Sequence, residues 1–169
     1  MKNIKSILAV FGLSVVFAFS VFAQTNLTAL DGSKINVEGQ KGKVVVLAIG
    51  ASWLPLSKEQ AVITNKLAKK YAGSDVVVYF VMTDSTVAKS KNYASDTDIG
   101  AFATKNKLTV SVLRDSDGAL TLKKFGVDQL PSFVVLDKNG KLSEVFGGID
   151  TNPKNDVSVP ISQTIDKLL

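Results

Sequence analysis

The chain has 169 residues, 46% hydrophobic and 21% charged, with no cysteine and no histidine. That is enough apolar material for one domain with a real core. It excludes disulfides, thiolate chemistry, Ser-His-Asp and Cys-His catalysis, and any metal held by His or Cys. The formal net charge is +5, carried by scattered lysines of which only Lys69-Lys70 and Lys123-Lys124 are adjacent. This reads as a solvated surface and gives nucleic-acid binding no support.

Residues 1–23 read as a secretory signal peptide, with residues 24–169 as one domain. Lys2 and Lys5 form a basic start, Ile7 to Phe19 is an apolar stretch, and Val21-Phe22-Ala23 supplies a cleavage site, so the mature chain is expected to start at Gln24. The alternative is an uncleaved anchor, since the apolar stretch is near spanning length; the Val-x-Ala site favours cleavage. The expected location is the periplasm or the extracellular space, with no stable membrane insertion after cleavage. Losing Lys2 and Lys5 leaves 18 basic against 15 acidic residues, a net charge of +3.

Beyond the leader, strand-like and helix-like segments alternate. Leu27 to Leu30 and Lys34 to Val37 flank Asp31-Gly32-Ser33, a hairpin signature. Lys43 to Ile49 is a near-continuous apolar run, suited to a strand buried on both faces. A helix is expected from about Pro55 to Ala72. Pro55 sits in its first turn, Leu56, Ile63, Leu67 and Tyr71 recur at helical spacing, and Gly73 is placed to cap it. Asp75 to Met82 is a second buried strand.

Asp96 to Lys105 reads as a short helix with Asp96 and Asp98 at its positive end. Thr109 to Leu113 reads as a strand, and Ala119 to Phe125 as a short helix. Between them, Asp115-Ser116-Asp117-Gly118 has a faint likeness to the start of a calcium loop. It lacks the later ligands, so a polar turn before a helix is the better reading. Pro131 to Asp137 and Lys141 to Phe146 form a hairpin around Lys138-Asn139-Gly140. After a polar loop from Asp150 to Asp156, Ser158 is expected to cap a last helix with the stripe Ile161, Ile165, Leu168 and Leu169. The alternation implies an α/β fold with a mixed sheet and helices over both faces.

Several of these segments, in this order, carry a family resemblance. They are the Asp31-Gly32 hairpin, the strand Lys43 to Ile49, Ala51-Ser52-Trp53-Leu54-Pro55-Leu56-Ser57, Phe125-Gly126-Val127, and Leu130-Pro131-Ser132-Phe133 running on to Asp137-Lys138-Asn139-Gly140-Lys141. Together they resemble the thioredoxin-like superfamily, most of all its exported TlpA-like branch of thiol–disulfide oxidoreductases and redoxins. The resemblance implies a thioredoxin-like fold, with a mixed central sheet flanked by helices and an N-terminal β-hairpin extension. It also implies a cis Leu130–Pro131 bond beside the active site, and an insertion from Asp84 to about Leu108. The chain departs from the family at the chemistry. The nucleophilic cysteine position is Leu54, the resolving position is Ser57, and the strand position where many relatives carry an acid or amide is Ala48.

No residue is therefore assigned a catalytic role, and no metal or cofactor is expected. The site expected from the resemblance is a degenerate surface of Trp53, Leu54, Pro55, Leu56, Ser57, Leu130 and Pro131, serving to bind a polypeptide or an envelope protein. Two alternatives stay open. Leu56 could belong to the core stripe and Trp53 could pack on Pro131, which leaves a structural protein with a vestigial site. A family-type oxidoreductase or peroxiredoxin-like activity is disfavoured because no thiol exists. Ser57, lacking a base, is expected to bond local backbone rather than act as a nucleophile.

Overall fold

Seven strands and four helices alternate in the computed structural model, which describes residues 24–150, 152 and 155–169. Residues 1–23, expected to be a signal peptide, lie outside the described residues. In chain order the strands are β1 (Asn26–Ala29), β2 (Lys34–Asn36), β3 (Val44–Gly50), β4 (Val76–Met82), β5 (Ser111–Arg114), β6 (Ser132–Leu136) and β7 (Leu142–Gly147). The helices are α1 (Ser57–Lys70), α2 (Asp96–Lys105), α3 (Leu122–Phe125) and α4 (Ser158–Leu168).

The strands form one mixed sheet in the order β2-β1-β5-β4-β3-β6-β7. β3, β4 and β5 run parallel, joined through α1 and α2, while β6 returns antiparallel against β3 with Ile49 opposite Ser132. β7 pairs antiparallel with β6, and the β1–β2 hairpin adds to β5 at the far edge. At the hairpin tip Gly32 has φ +86°, a left-handed conformation that glycine adopts without a Cβ penalty, and the Asp31 carboxylate accepts the N–H and O–H of Ser33.

Every residue of β3 is buried, and alternation along the strand divides its side chains between two cores. Val44, Val46 and Ala48 join Phe80, Met82, Leu67, Ile161 and Ile165; Val45, Leu47 and Ile49 join Tyr79, Leu113, Phe125 and Leu136. Each fully buried aliphatic side chain contributes about 1.5–3 kcal/mol, which is how a chain without cysteine holds this sheet together.

Helices cover both faces, as expected, but unequally. α1, α2 and α4 all pack on the first core, through Ala61 and Leu67, Ile99, and Ile161 and Ile165. Among the described residues, the second is roofed by the four-residue α3 and the segment after it, through Leu122, Phe125, Val127 and Leu130. Alternating apolar strands report that both faces are buried, but not what buries them.

Three local expectations also shift. α1 starts at Ser57, so Pro55 lies in the preceding turn, outside the helix. Ser158 is the first residue of α4, and its N–H is taken by the carboxylate of Asp156 at 2.9 Å, so Asp156 does the capping. Leu169 is 48% exposed and leaves the apolar stripe, while Thr164 enters it.

Candidate functional site

β3 delivers the chain to Gly50, and residues 51–56 then form tight turns into α1. The N–H of Leu54 reaches the carbonyl of Ala51 at 3.2 Å, and that of Ser57 reaches the carbonyl of Leu54 at 3.2 Å. Asp84, fully buried just beyond β4, anchors the entrance: its carboxylate accepts the N–H of Ser52 at 2.9 and 3.1 Å and the hydroxyl of the same residue.

This anchoring sorts the expected site residues by depth. Trp53 is 53% exposed and Pro55 is exposed, whereas Leu54, Leu56 and Leu130 are half-buried. Leu56 packs against the first core and Leu130 against the second; Leu54 belongs to neither. Ser57 and Pro131 are buried and so drop out of the proposed surface. The Ser57 hydroxyl donates to the carbonyl of Ala51 at 2.6 Å, which closes the turn and leaves a partner nothing to touch. Its role as a local backbone bonder thus holds.

The Leu130–Pro131 peptide bond is cis. Pro131 is fixed from one side by the N–H of Gly148, which donates to its carbonyl at 3.0 Å. The next residue, Ser132, donates its hydroxyl to the carbonyl of Gln129, and its own carbonyl accepts from the buried amide of Gln60 at 2.9 Å. That amide also donates to the carbonyl of Ile49 at 3.0 Å, clamping β3 to β6 beneath the site. Gln60 Oε1 has no partner among the described atoms. A Cβ on Gly50 would sit 2.2 Å from it, so only glycine admits this clamp. The main-chain N–H and C=O of Leu130 form no hydrogen bond with a described residue.

Sequence reasoning missed Gln60 and Asp84. Gln60 had a signal, as the polar member between Leu56 and Ile63 on an otherwise apolar helix stripe. Asp84 had none, because its partner Ser52 is 32 residues away. A neighbouring cleft was also invisible from sequence. Its volume is ≈ 1090 Å³, and it runs from Leu56 between the end of β7 (Gly147, Gly148) and the start of α4 (Val159, Pro160), with Asp150 and Asp156 on its wall. Lys66, 2.6 Å away, and the Ser158 N–H hold the Asp156 carboxyl down at about 2.

No thiol stands at this turn, and the polar groups described around it are engaged locally. Ala48 is fully buried and apolar, Ser57 has no base, and the Asp84 oxygens are occupied by Ser52. Among the described residues no three acidic side chains converge as a metal site. The Asp115 carboxylate, at the calcium-like turn, instead accepts from the N–H groups of Leu120 and Thr121 and the Thr121 hydroxyl.

Comparison with known proteins agrees with this geometry. The profile of the redoxin family matches residues 16–159. The thiol-disulfide oxidoreductase ResA of Bacillus thuringiensis is 29% identical over 125 residues, covering 74% of this chain and 66% of the relative. The chain therefore spans about two thirds of the length of that relative. The thioredoxin-like protein YneN of Bacillus subtilis is 28% identical over 126 residues, covering 75% of this chain and 69% of YneN.

Among solved structures, the exposed lipoprotein thioredoxin Etrx1 of Streptococcus pneumoniae superposes with a TM-score of 0.68 at 29% identity, covering 86% of this chain and all of the other. A secreted disulfide oxidoreductase of Mycobacterium tuberculosis gives 0.62 at 20% identity, over 86% of this chain and 96% of the other. At that identity the second likeness shows the fold alone.

Proposed function

The chain belongs to the redoxin family, and on that premise we propose that it is an exported, thiol-free member that works by holding a polypeptide without covalent chemistry. The observation that carries this reading is the position of Leu54. Where the family resemblance places a nucleophilic thiol, this chain presents an apolar side chain that is half-exposed, unclaimed by either core, and flanked by exposed Trp53 and Pro55. Apolar side chains grouped together at a surface mark a contact site, where a single one would not. The free main-chain groups of Leu130 add a place for an extended segment to pair as a short strand.

Export is supported by the basic-then-apolar start of the sequence and by the likeness to a lipoprotein thioredoxin described as exposed. No helix among the described residues is long and apolar enough to cross a membrane.

The test compares tagged mature protein with its Trp53→Ser/Leu54→Ser variant in affinity capture from envelope extract, after circular dichroism has shown both folded. Polypeptide partners held by the first and lost by the second support the reading. Partners kept by both move function to another surface. Disulfide reductase activity in the purified protein would overturn the reading altogether.

A further inference from the structure

We propose that the polypeptide held at this face is cationic, an extended segment with Lys or Arg beside apolar side chains. This rests on the binding reading above and adds the charge of the partner, which the overall composition would assign the opposite way.

The topology puts a particular set of loops together. β3, β4, β5 and β7 end at the edge of the sheet where β6 begins. The turn 51–56, the loops after β4 and β5, the Leu130 loop and the start of α4 therefore share one end of the molecule. Trp53, Val87, Tyr93, Leu120 and Val159, each at least 44% exposed, lie on these loops or on the first turn of α4. An exposed apolar set concentrated at one end marks that end as the contact face.

Charge divides along the same axis. The exposed carboxylates at this end are Glu59, Asp96, Asp98, Asp117, Asp128 and Asp150, against Lys58, Lys89, Lys91 and the buried Arg114, which pairs with Asp96 at 3.2 Å. Behind them lie Asp84 and Asp115, buried and hydrogen-bonded to N–H and O–H donors. The N-termini of α1, α2 and α4 contribute opposing partial positive charge. Each is met by its own carboxylate: Glu59, Asp96 with Asp98, and Asp156. Asp128, two residues before Leu130, and Asp150, on the cleft wall, are left bordering the apolar surface.

The opposite end carries Lys41, Lys43, Lys69, Lys70, Lys138 and Lys141 against Asp75, Asp137 and Asp166. A chain of net charge +5 thus turns its acidic end toward the site. A cationic segment is attracted there and repelled at the other end, which sets both encounter rate and orientation.

Short labelled peptides sharing one set of apolar residues, with Lys, Gln or Glu between them, test this by fluorescence anisotropy on the mature protein. The Lys peptide is expected to bind most tightly and the Glu peptide least. The Lys advantage should shrink as salt shortens the Debye length from about 30 Å to about 8 Å, and fall about fivefold in Asp128→Asn/Asp150→Asn. Equal binding of all three peptides, lost in Trp53→Ser/Leu54→Ser, overturns the cationic partner and leaves the apolar binding reading standing. Preference for Glu overturns the inference in sign. Failure of every peptide to bind overturns both readings.

Discussion

Leu54→Cys combined with Ser57→Cys returns a dithiol to the turn before α1 and measures how much of the family scaffold survives here. The Ser57 N–H bonded to the Leu54 carbonyl at 3.2 Å closes a four-residue turn, which brings its terminal Cα atoms within about 7 Å. A disulfide spans Cα separations of about 4.4–6.8 Å, so the two thiols are placed to join without moving the backbone. Closing so short a loop removes little chain entropy, worth about 2 kcal/mol. Against this stands the lost hydroxyl bond from Ser57 to the Ala51 carbonyl at 2.6 Å, which costs about 1 kcal/mol.

The oxidised variant should therefore be about 2 kcal/mol more stable than its own reduced form, which lacks the Ser57 hydroxyl equally, and about 1 kcal/mol more stable than the parent chain. Intact mass after treatment with oxidised glutathione reads the bond, and urea unfolding with and without dithiothreitol reads the energy. The bond should exchange slowly, because Ala48 and Gln60 supply no acid or base to move protons. Folded protein whose thiols stay free under excess oxidant would refute the geometry argued for residues 54–57.

Two further outcomes follow from the same contacts. Gln60→Met keeps the side-chain length but deletes the clamp on Ile49 and Ser132. Two lost bonds are partly offset by removal of the orphaned Oε1, so a cost of about 1–2 kcal/mol is expected in urea unfolding; a variant as stable as the parent would show that the clamp carries nothing. Asp156→Asn tests the α1–α4 tether. The Asp156 carboxyl lies at about 2 in the folded chain, below its unfolded value of about 3.9, so its contribution is present above pH 4 or so and is lost as pH falls toward about 2. The variant should melt below the parent at neutral pH and together with it near pH 2, and a gap that widens in acid would contradict the assignment.

The amino-acid order by itself determined the fold. Unbroken apolar runs at Val44–Gly50 and Val76–Met82 suit strands buried on both faces, and the stripe at Leu67 and Tyr71 marks the buried side of one helix. It also determined the chemistry that is absent, since a chain without thiol or imidazole cannot regain either by folding. Depth and field were decided only by the tertiary structure. Leu54 and Ser57 are three residues apart and equally plausible as surface residues, yet a turn anchored by Asp84 leaves one half-exposed and seals the other. The acidic carboxylates of the site end are dispersed from Glu59 to Asp150 and interleaved with lysines, so composition reports only their sum. Parallel strands sort them by placing every loop of one sense at the same end of the sheet, and a partner meets that local charge rather than the total.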